Sequence, residues 1–212
     1  MKNYTVQIPK IIQNSTRLLK WREEDTNNVY LTFDDGPTPK ITEKVLDILK
    51  SYNVKGTFFC IARNVDRHPD IYNKLIEAGM GLGNHTYSHL NGWKTKNQDY
   101  LDDINLAASH INSKLFRPPY GKISNKVARI ISKKYKIIMW DVLSKDYALK
   151  VSPEQCLENV IKHTTAGSII VFHDSVKAFS KLEYTLPKAI EYLLEKGYNL
   201  SATLKPNDLS AI

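Results

Sequence analysis

The chain has 212 residues, 42% of them hydrophobic and 25% charged, enough for one sizeable core and unlike a disordered polymer. Its formal net charge of +8 favours an anionic partner such as an acidic polymer or a wall surface, but the basic residues are spread and no nucleic-acid module or arginine-rich arm is visible, so nucleic acid is not expected. Two cysteines, Cys60 and Cys156, make no disulfide framework and read as buried free thiols, and runs such as SIIVF and KIIMW are far too short to enter a membrane as spanning helices.

In chain order, residues 1–27 are loosely patterned and are expected to pack on the domain as an extension. Within them YTVQIPKIIQNSTRLLKWREED breaks up every apolar pair, so no signal-peptide core is visible. A cytoplasmic location is therefore expected, with an extracytoplasmic or envelope-associated one as the alternative. VYLTF (29–33) predicts a first strand, followed by a helix in which Thr38 caps, Pro39 takes the first helical position, and Ile41, Val45, Leu46 and Leu49 share one face. GTFFCI (56–61) predicts a second strand, then a helix near 68–78. The short GLGNH (81–85) is the third, with a helix near 97–114, and LFR (115–117) the fourth, with a helix near 123–134. After a fifth at KIIMW (136–140), Ser152-Pro153-Glu154-Gln155 has capping-box spacing. SIIVF (168–172) is the sixth, with a helix near 183–196, and NLSATL (199–204) a weak seventh. This alternation predicts a single α/β domain with parallel strands, arranged as an open sheet or a barrel. In either arrangement the C-terminal ends of the strands collect on one face, where active sites are built.

The unusual polar residues fall at those ends. The first strand runs into the doublet Asp34-Asp35 of LTFDDGP, and two adjacent carboxylates are costly to bury unless paired or bound to a cation. Taken alone, a polar turn with solvated acids would account for it. His85 and His89 close the third strand, Arg117 the fourth within RPPYG, Asp141 and Asp146 follow the fifth, and His173-Asp174 ends the sixth. The other histidines, His68, His110 and His163, lie in or beside predicted helices and read as structural or solvent-facing. One helical turn over HTYSH would aim His85 and His89 at one point. A carboxylate from a neighbouring strand end then completes a two-histidine, one-carboxylate set with open positions, suited to Zn²⁺ and related divalent ions. Side chains alternate at a strand end, so the two acids of the doublet are expected to divide the work, one as ligand and one as base toward water. Arg117 would hold the unligated carboxylate in its ionised form, and a carboxylate such as Asp146 beside His173 would raise its pKa and make it a proton donor near neutral pH.

TFDDGP (32–37), HTYSH (85–89), RPPYG (117–121), WDVLSKDY (140–147) and IVFHD (170–174) together resemble the five ordered motifs of the polysaccharide deacetylases, the NodB-like carbohydrate esterases of family 4. The resemblance covers about residues 28–205, leaving 206–212 as a tail. It implies a distorted, TIM-barrel-like (β/α)₇ fold and metal-dependent hydrolysis of acetyl groups from N-acetylated glycans, chitin-like or peptidoglycan-like. By position, Asp34 resembles the general base, Asp35, His85 and His89 the metal ligands, Arg117 the residue that orients the base, and His173 the general acid with Asp146 as its partner. The backbone N–H of Tyr120 resembles an oxyanion donor, and Pro119, Tyr120, Trp140 and Tyr147 resemble residues of the substrate site. Zn²⁺ is the implied cofactor, with Co²⁺ or Ni²⁺ as alternatives, and an acetylated oligo- or polysaccharide the implied partner; the sequence does not set the oligomeric state, and a monomer is the default.

The fourth motif departs from the family's usual DxxDW: Leu143 stands at the first Asp and Tyr147 at the Trp, which bears on the shape of the acetyl pocket. A complete acid and partner pair favours a leaving amine, which needs a proton more than an alkoxide does. The rival expectations are an O-acetyl esterase on xylan or a similar polymer, and a catalytically silent glycan-binding protein on the same scaffold.

Overall fold

Runs such as FFC and SIIVF are apolar on both faces or nearly so, and their strands need cover on both sides. The computed structural model, which describes residues 6–13, 17–24, 27–200 and 203–205, provides that cover. Eight strands, β1 (Leu19–Lys20), β2 (Tyr30–Asp34), β3 (Gly56–Cys60), β4 (Gly81–Asn84), β5 (Leu115–Phe116), β6 (Lys136–Ile138), β7 (Val142–Leu143) and β8 (Ile169–His173), form one parallel sheet in the order β1-β6-β5-β4-β3-β2-β8-β7. The sheet curls into the distorted α/β barrel expected from the sequence, open between β1 and β7. The helices are α1 (Lys10–Gln13), α2 (Ile41–Ser51), α3 (Ala62–Arg67), α4 (Pro69–Glu77), α5 (Asn97–Ala108), α6 (Asn125–Ile131), α7 (Pro153–His163) and α8 (Phe179–Glu195). Among the described residues no helix is long and apolar enough to cross a membrane.

Alternation along each strand divides the core. One set, including Leu31, Phe33, Phe58, Ile170 and Phe172, packs with Leu46 and Leu49 of α2 and Leu186 and Ile190 of α8. Phe33 stacks on Phe58 with ring centroids 4.8 Å apart. The opposite set, Tyr30, Phe59, Leu115, Ile138 and Ile169, forms a separate cluster inside the curl. Counting on by twos from this inner set reaches Asp34 on β2, Arg117 after β5, Trp140 after β6 and His173 on β8. Gly83 is on the same face, opposite Phe59: a Cβ there would lie 2.3 Å from the Phe59 ring, so glycine leaves the room in which that ring lies. Two residues further on comes His85.

The strand count is eight, not seven. β1 and β7 are two residues each, too short to carry a period, and β1 comes from the N-terminal segment, which enters the sheet beside β6. The same segment bridges Gln7 to Val142 and Arg22 to Ser168. Of the predicted seventh strand, Asn199 makes a single bridge to Asn28, while residues 201–202 and the tail 206–212 lie outside the described residues. The capping box at Ser152 forms as expected, with Ser152 Oγ accepting from Gln155 N–H at 3.2 Å and Gln155 Oε1 accepting from Ser152 N–H at 3.1 Å. The Thr38 cap does not. Helix α2 starts at Ile41 after Lys40 (φ 67°), and Thr38 instead donates its N–H to Thr42 Oγ1 at 2.7 Å. Cys60 and Cys156 are buried and free.

Candidate functional site

The parallel register of β2 and β8 sets Asp34 beside His173 at the strand ends. Arg117, with no exposed surface, lies beneath them. Its guanidinium donates to Asp34 Oδ1 at 2.7 Å, Thr32 Oγ1 at 2.8 Å, Met139 O at 3.0 Å and Ile138 O at 3.3 Å, and sits 4.0 Å over the Phe59 ring. Burial works against its charge and Asp34 works for it. One Asp34 oxygen is thus fixed, and the other lies 4.0 Å from His85 Nε2.

Asp35 leaves the strand with φ 84°, and this left-handed step redirects its carboxylate toward the histidines. Oδ1 lies 3.2 Å from His89 Nε2 and 3.8 Å from His85 Nε2. Burial alone would raise the Asp35 carboxyl, but the His89 hydrogen bond and the charges of His173, His85 and His89 hold it well below the usual carboxylate range. The doublet does not point to opposite faces, since both acids reach His85. They differ in their other partner, Arg117 for Asp34 and His89 for Asp35.

The HTYSH segment is a loop and not a helical turn. Thr86 and His89 have φ of 64° and 59°, and the loop is pinned from outside. Asp103 of α5 accepts from Tyr87 N–H and Ser88 N–H, each at 3.0 Å, and Asn84 accepts from Thr86 N–H at 2.8 Å. The two imidazole centroids end 5.1 Å apart. His85 Nδ1 lies 2.7 Å from the Arg117 carbonyl, to which it donates. Burial foremost, against the pull of Asp34, lowers the His85 pKa to about 4, so near neutral pH its Nε2 lone pair faces Asp35.

Asp35, His85 and His89 offer ligand atoms within 4.8 Å of one another. One carboxylate and two imidazoles, one of them oriented by a backbone carbonyl, suit a divalent cation.

On the other side, Asp146 receives both His173 N–H at 2.7 Å and His173 Nδ1–H at 2.8 Å. Burial lowers the His173 pKa, but the Asp146 charge and hydrogen bond, with Asp35 and Asp34 behind them, raise it to about 9. Tyr147 meets the His173 ring edge-on at 4.9 Å. Tyr120 (φ 60°) is exposed, its ring is 4.6 Å from His89, and its N–H has no hydrogen-bond partner among the described residues. Pro119 is buried in the turn, and Trp140 lines the inner cluster with its indole N–H unsatisfied. Asp35, His89 and Tyr120 are among the seven non-glycine residues with positive φ in the described chain, and Thr86 and Lys145 adjoin His85 and Asp146. Backbone strain is thereby concentrated around the cluster, as at functional sites generally.

Asp141 is not part of this cluster. It is buried against Arg22, Ser168 Oγ at 3.0 Å and Ile169 N–H at 2.8 Å, where it ties down the N-terminal segment. His68, His110 and His163 also lie elsewhere, with His110 near Asp66 and His163 on the Asn159 carbonyl. Sequence reasoning assigned nothing to Asp174, which braces the doublet. Fully buried, with its pKa pushed up to about 7 by burial against the Thr42 hydrogen bond, it accepts from Gly36 N–H at 3.1 Å and from the Thr42 hydroxyl. A Cβ on Gly36 would lie 2.0 Å from Asp174 Oδ2. Gly36→Ala is therefore expected to cost about 1–3 kcal/mol in thermal unfolding and to weaken cation retention, because the step from Asp35 into the turn must move. An unchanged Tm with unchanged cation content would show that Asp174 yields without consequence.

A family model described as Polysaccharide deacetylase matches residues 22–137. A peptidoglycan-N-acetylglucosamine deacetylase of Bacillus cereus is 33% identical over 190 residues, covering 82% of this chain and 69% of that protein. Chitin deacetylase 2 of Saccharomyces cerevisiae is 34% identical over 173 residues, covering 75% of this chain and 54% of that protein. Among solved structures, a peptidoglycan N-acetylglucosamine deacetylase crystallised with an N-oxidanyl-benzamide superposes with a TM-score of 0.85 at 30% identity, covering 93% of this chain and 95% of that one.

Proposed function

The chain belongs to the polysaccharide deacetylase family, and from that membership we propose that it hydrolyses the acetamido group of an N-acetylated glycan at the Asp34, Asp35, His85, His89, His173 cluster. Asp35, His85 and His89 hold the cation. Zn²⁺ is the first choice for this mixed nitrogen and oxygen set, with Co²⁺ or Ni²⁺ as substitutes. Bound there, it supplies Lewis acidity toward water and the acetyl carbonyl.

The remaining steps belong to side chains. Asp34, with one oxygen held by Arg117, uses the other to take the proton of the attacking water. The Tyr120 N–H is the donor available to the oxyanion as the carbonyl becomes tetrahedral. His173, kept protonated by Asp146, delivers its proton to the departing nitrogen. The observation that carries the N-acetyl assignment is this His173–Asp146 pair at 2.8 Å, because an amine cannot leave without a proton.

The test is acetate release from chitooligosaccharides, peptidoglycan-like glycan and acetyl xylan, with and without chelator. Release from the N-acetylated substrates is expected, abolished by chelation and restored by Zn²⁺ or Co²⁺. Full turnover by protein shown by elemental analysis to be metal-free would remove the cation from the mechanism. Release from acetyl xylan alone would assign the chain to ester hydrolysis.

A further inference from the structure

Large apolar side chains are exposed on the loops that leave the catalytic ends of the strands: Trp93 at 66%, Tyr120, Leu149 and Val176. Trp93 is held by a side-chain hydrogen bond and has a lysine ammonium over its ring. It lies four residues beyond His89, and its indole N–H donates to the Ile123 carbonyl at 3.0 Å. The Lys122 ammonium sits 3.9 Å from the ring centroid. A Cβ on Gly92 would meet the Lys122 carbonyl at 2.4 Å, so the loops carrying Trp93 and Lys122 pack as closely as glycine allows. The same two loops meet again where His89 contacts Tyr120. The loop that presents the indole is therefore packed against the same turn that reaches His89.

Lys94 and Lys96 project from the same loop, both exposed, and neither they nor Lys122 form an ion pair among the described residues. One ammonium over a held, exposed indole, with two more lysines within three residues of it along the chain and no acidic partner for any of the three among the described residues, calls for a ligand that is anionic and also has a flat apolar face. A pyranose ring has such a face, and a carboxylate on it supplies the charge.

We propose that Trp93 and Lys122, helped by Lys94 and Lys96 of the Trp93 loop, dock a carboxylate-bearing sugar of an anionic glycan, at a position along the polymer away from the acetamido group being hydrolysed. This deepens the proposed function and rests on it for the place of the reacting sugar. The ring stacks on Trp93 while the carboxylate draws the Lys122 ammonium away from the indole face. Neutral chitin-like chains would use the indole without the charge.

Docking is measured by calorimetry in an Asp34→Asn background, which separates binding from turnover. The probes are a tetrasaccharide in which alternate N-acetylated sugars carry a carboxylate, the same compound with the carboxyls reduced to alcohols, and chitotetraose. The carboxylated form is expected to bind several-fold tighter than the reduced one at about 50 mM salt, with the difference largely gone at about 500 mM. Lys122→Gln should remove most of that difference, and Trp93→Ala should weaken all three probes by about tenfold, as expected for an aromatic anchor. Trp93→Phe, which keeps a ring, should recover most of the loss even if the alanine variant is less stable. Equal binding of carboxylated and reduced probes by the parent chain would overturn the proposal. So would an unaltered preference in Lys122→Gln, unaltered binding in both Trp93 variants, or displacement of the glycan by single-stranded DNA as readily as by more glycan. If instead these differences hold while the wild-type chain releases no acetate, the docking site stands and the deacetylase reading falls.

Discussion

Asp35→Ala is expected to lose both bound cation and turnover, whereas Asp34→Asn keeps the cation and loses about 10²–10⁴-fold in turnover. The difference follows from what each carboxylate touches. Asp35 Oδ1 faces His89 Nε2 at 3.2 Å and His85 Nε2 at 3.8 Å, so its removal leaves two imidazoles, one fewer protein ligand than a catalytic zinc site uses. Asp34 Oδ1 is committed to Arg117 at 2.7 Å, and an asparagine can keep that bond with its amide oxygen. What it loses is the second oxygen, because an amide nitrogen takes no proton from water at working pH. Arg117 is fully buried, so Asp34→Asn also removes the countercharge of an enclosed cation, and a lower Tm is expected alongside the loss of turnover. Cation content after dialysis and acetate release at saturating cation, both measured well below the Tm, decide the matter. A depleted Asp34→Asn beside a loaded Asp35→Ala would exchange the two roles, and two loaded, active variants would reduce the doublet to a polar turn.

The gathering of these residues on one face was legible because strand alternation is short-range. Asp34, Arg117, Trp140 and His173 lie at even offsets from inner-face residues, so a correct reading of β2, β5, β6 and β8 places all four on one surface without any knowledge of tertiary contacts. What escaped reading depends on partners far along the chain. Asp141 looks like another strand-end acid until Arg22, 119 residues away, occupies it. Thr38 has the letters of a helix cap, but its N–H goes to Thr42, whose hydroxyl is held by Asp174 132 residues away. HTYSH has helical spacing and reaches convergence by another route, since Asp103 holds Tyr87 and Ser88 in a loop with two left-handed residues. β1 and β7 exist only because a neighbouring strand offers them a ladder, and two residues carry no pattern of their own.

His173→Ala is expected to lower turnover by about 10²–10⁴-fold while leaving cation content unchanged, and Asp146→Asn to move the alkaline limb of the pH–rate profile to lower pH. The sign comes from the direction of the His173 shift. Burial pulls the imidazole below its ordinary 6.5, yet the Asp146 charge and hydrogen bond, helped by Asp35 and Asp34, carry it to about 9. A general acid works only while protonated, so activity should hold through neutral pH and fall as His173 deprotonates. A cation at Asp35 opposes that residue's contribution, which places the limb somewhat below 9 in the loaded enzyme. Asparagine at 146 removes the countercharge. It also has a single acceptor oxygen for two donors, His173 N–H and Nδ1–H, now 2.7 and 2.8 Å from the two carboxylate oxygens. Both changes favour the neutral ring, so the limb should fall by about one pH unit or more. Substrates with a good leaving group need less proton delivery, so an activated acetyl ester should lose far less than an N-acetyl glycan in His173→Ala. An alkaline limb that stays in place in Asp146→Asn, or equal losses on the two substrate types in His173→Ala, would take the pair out of proton transfer and leave it the single task of positioning β8.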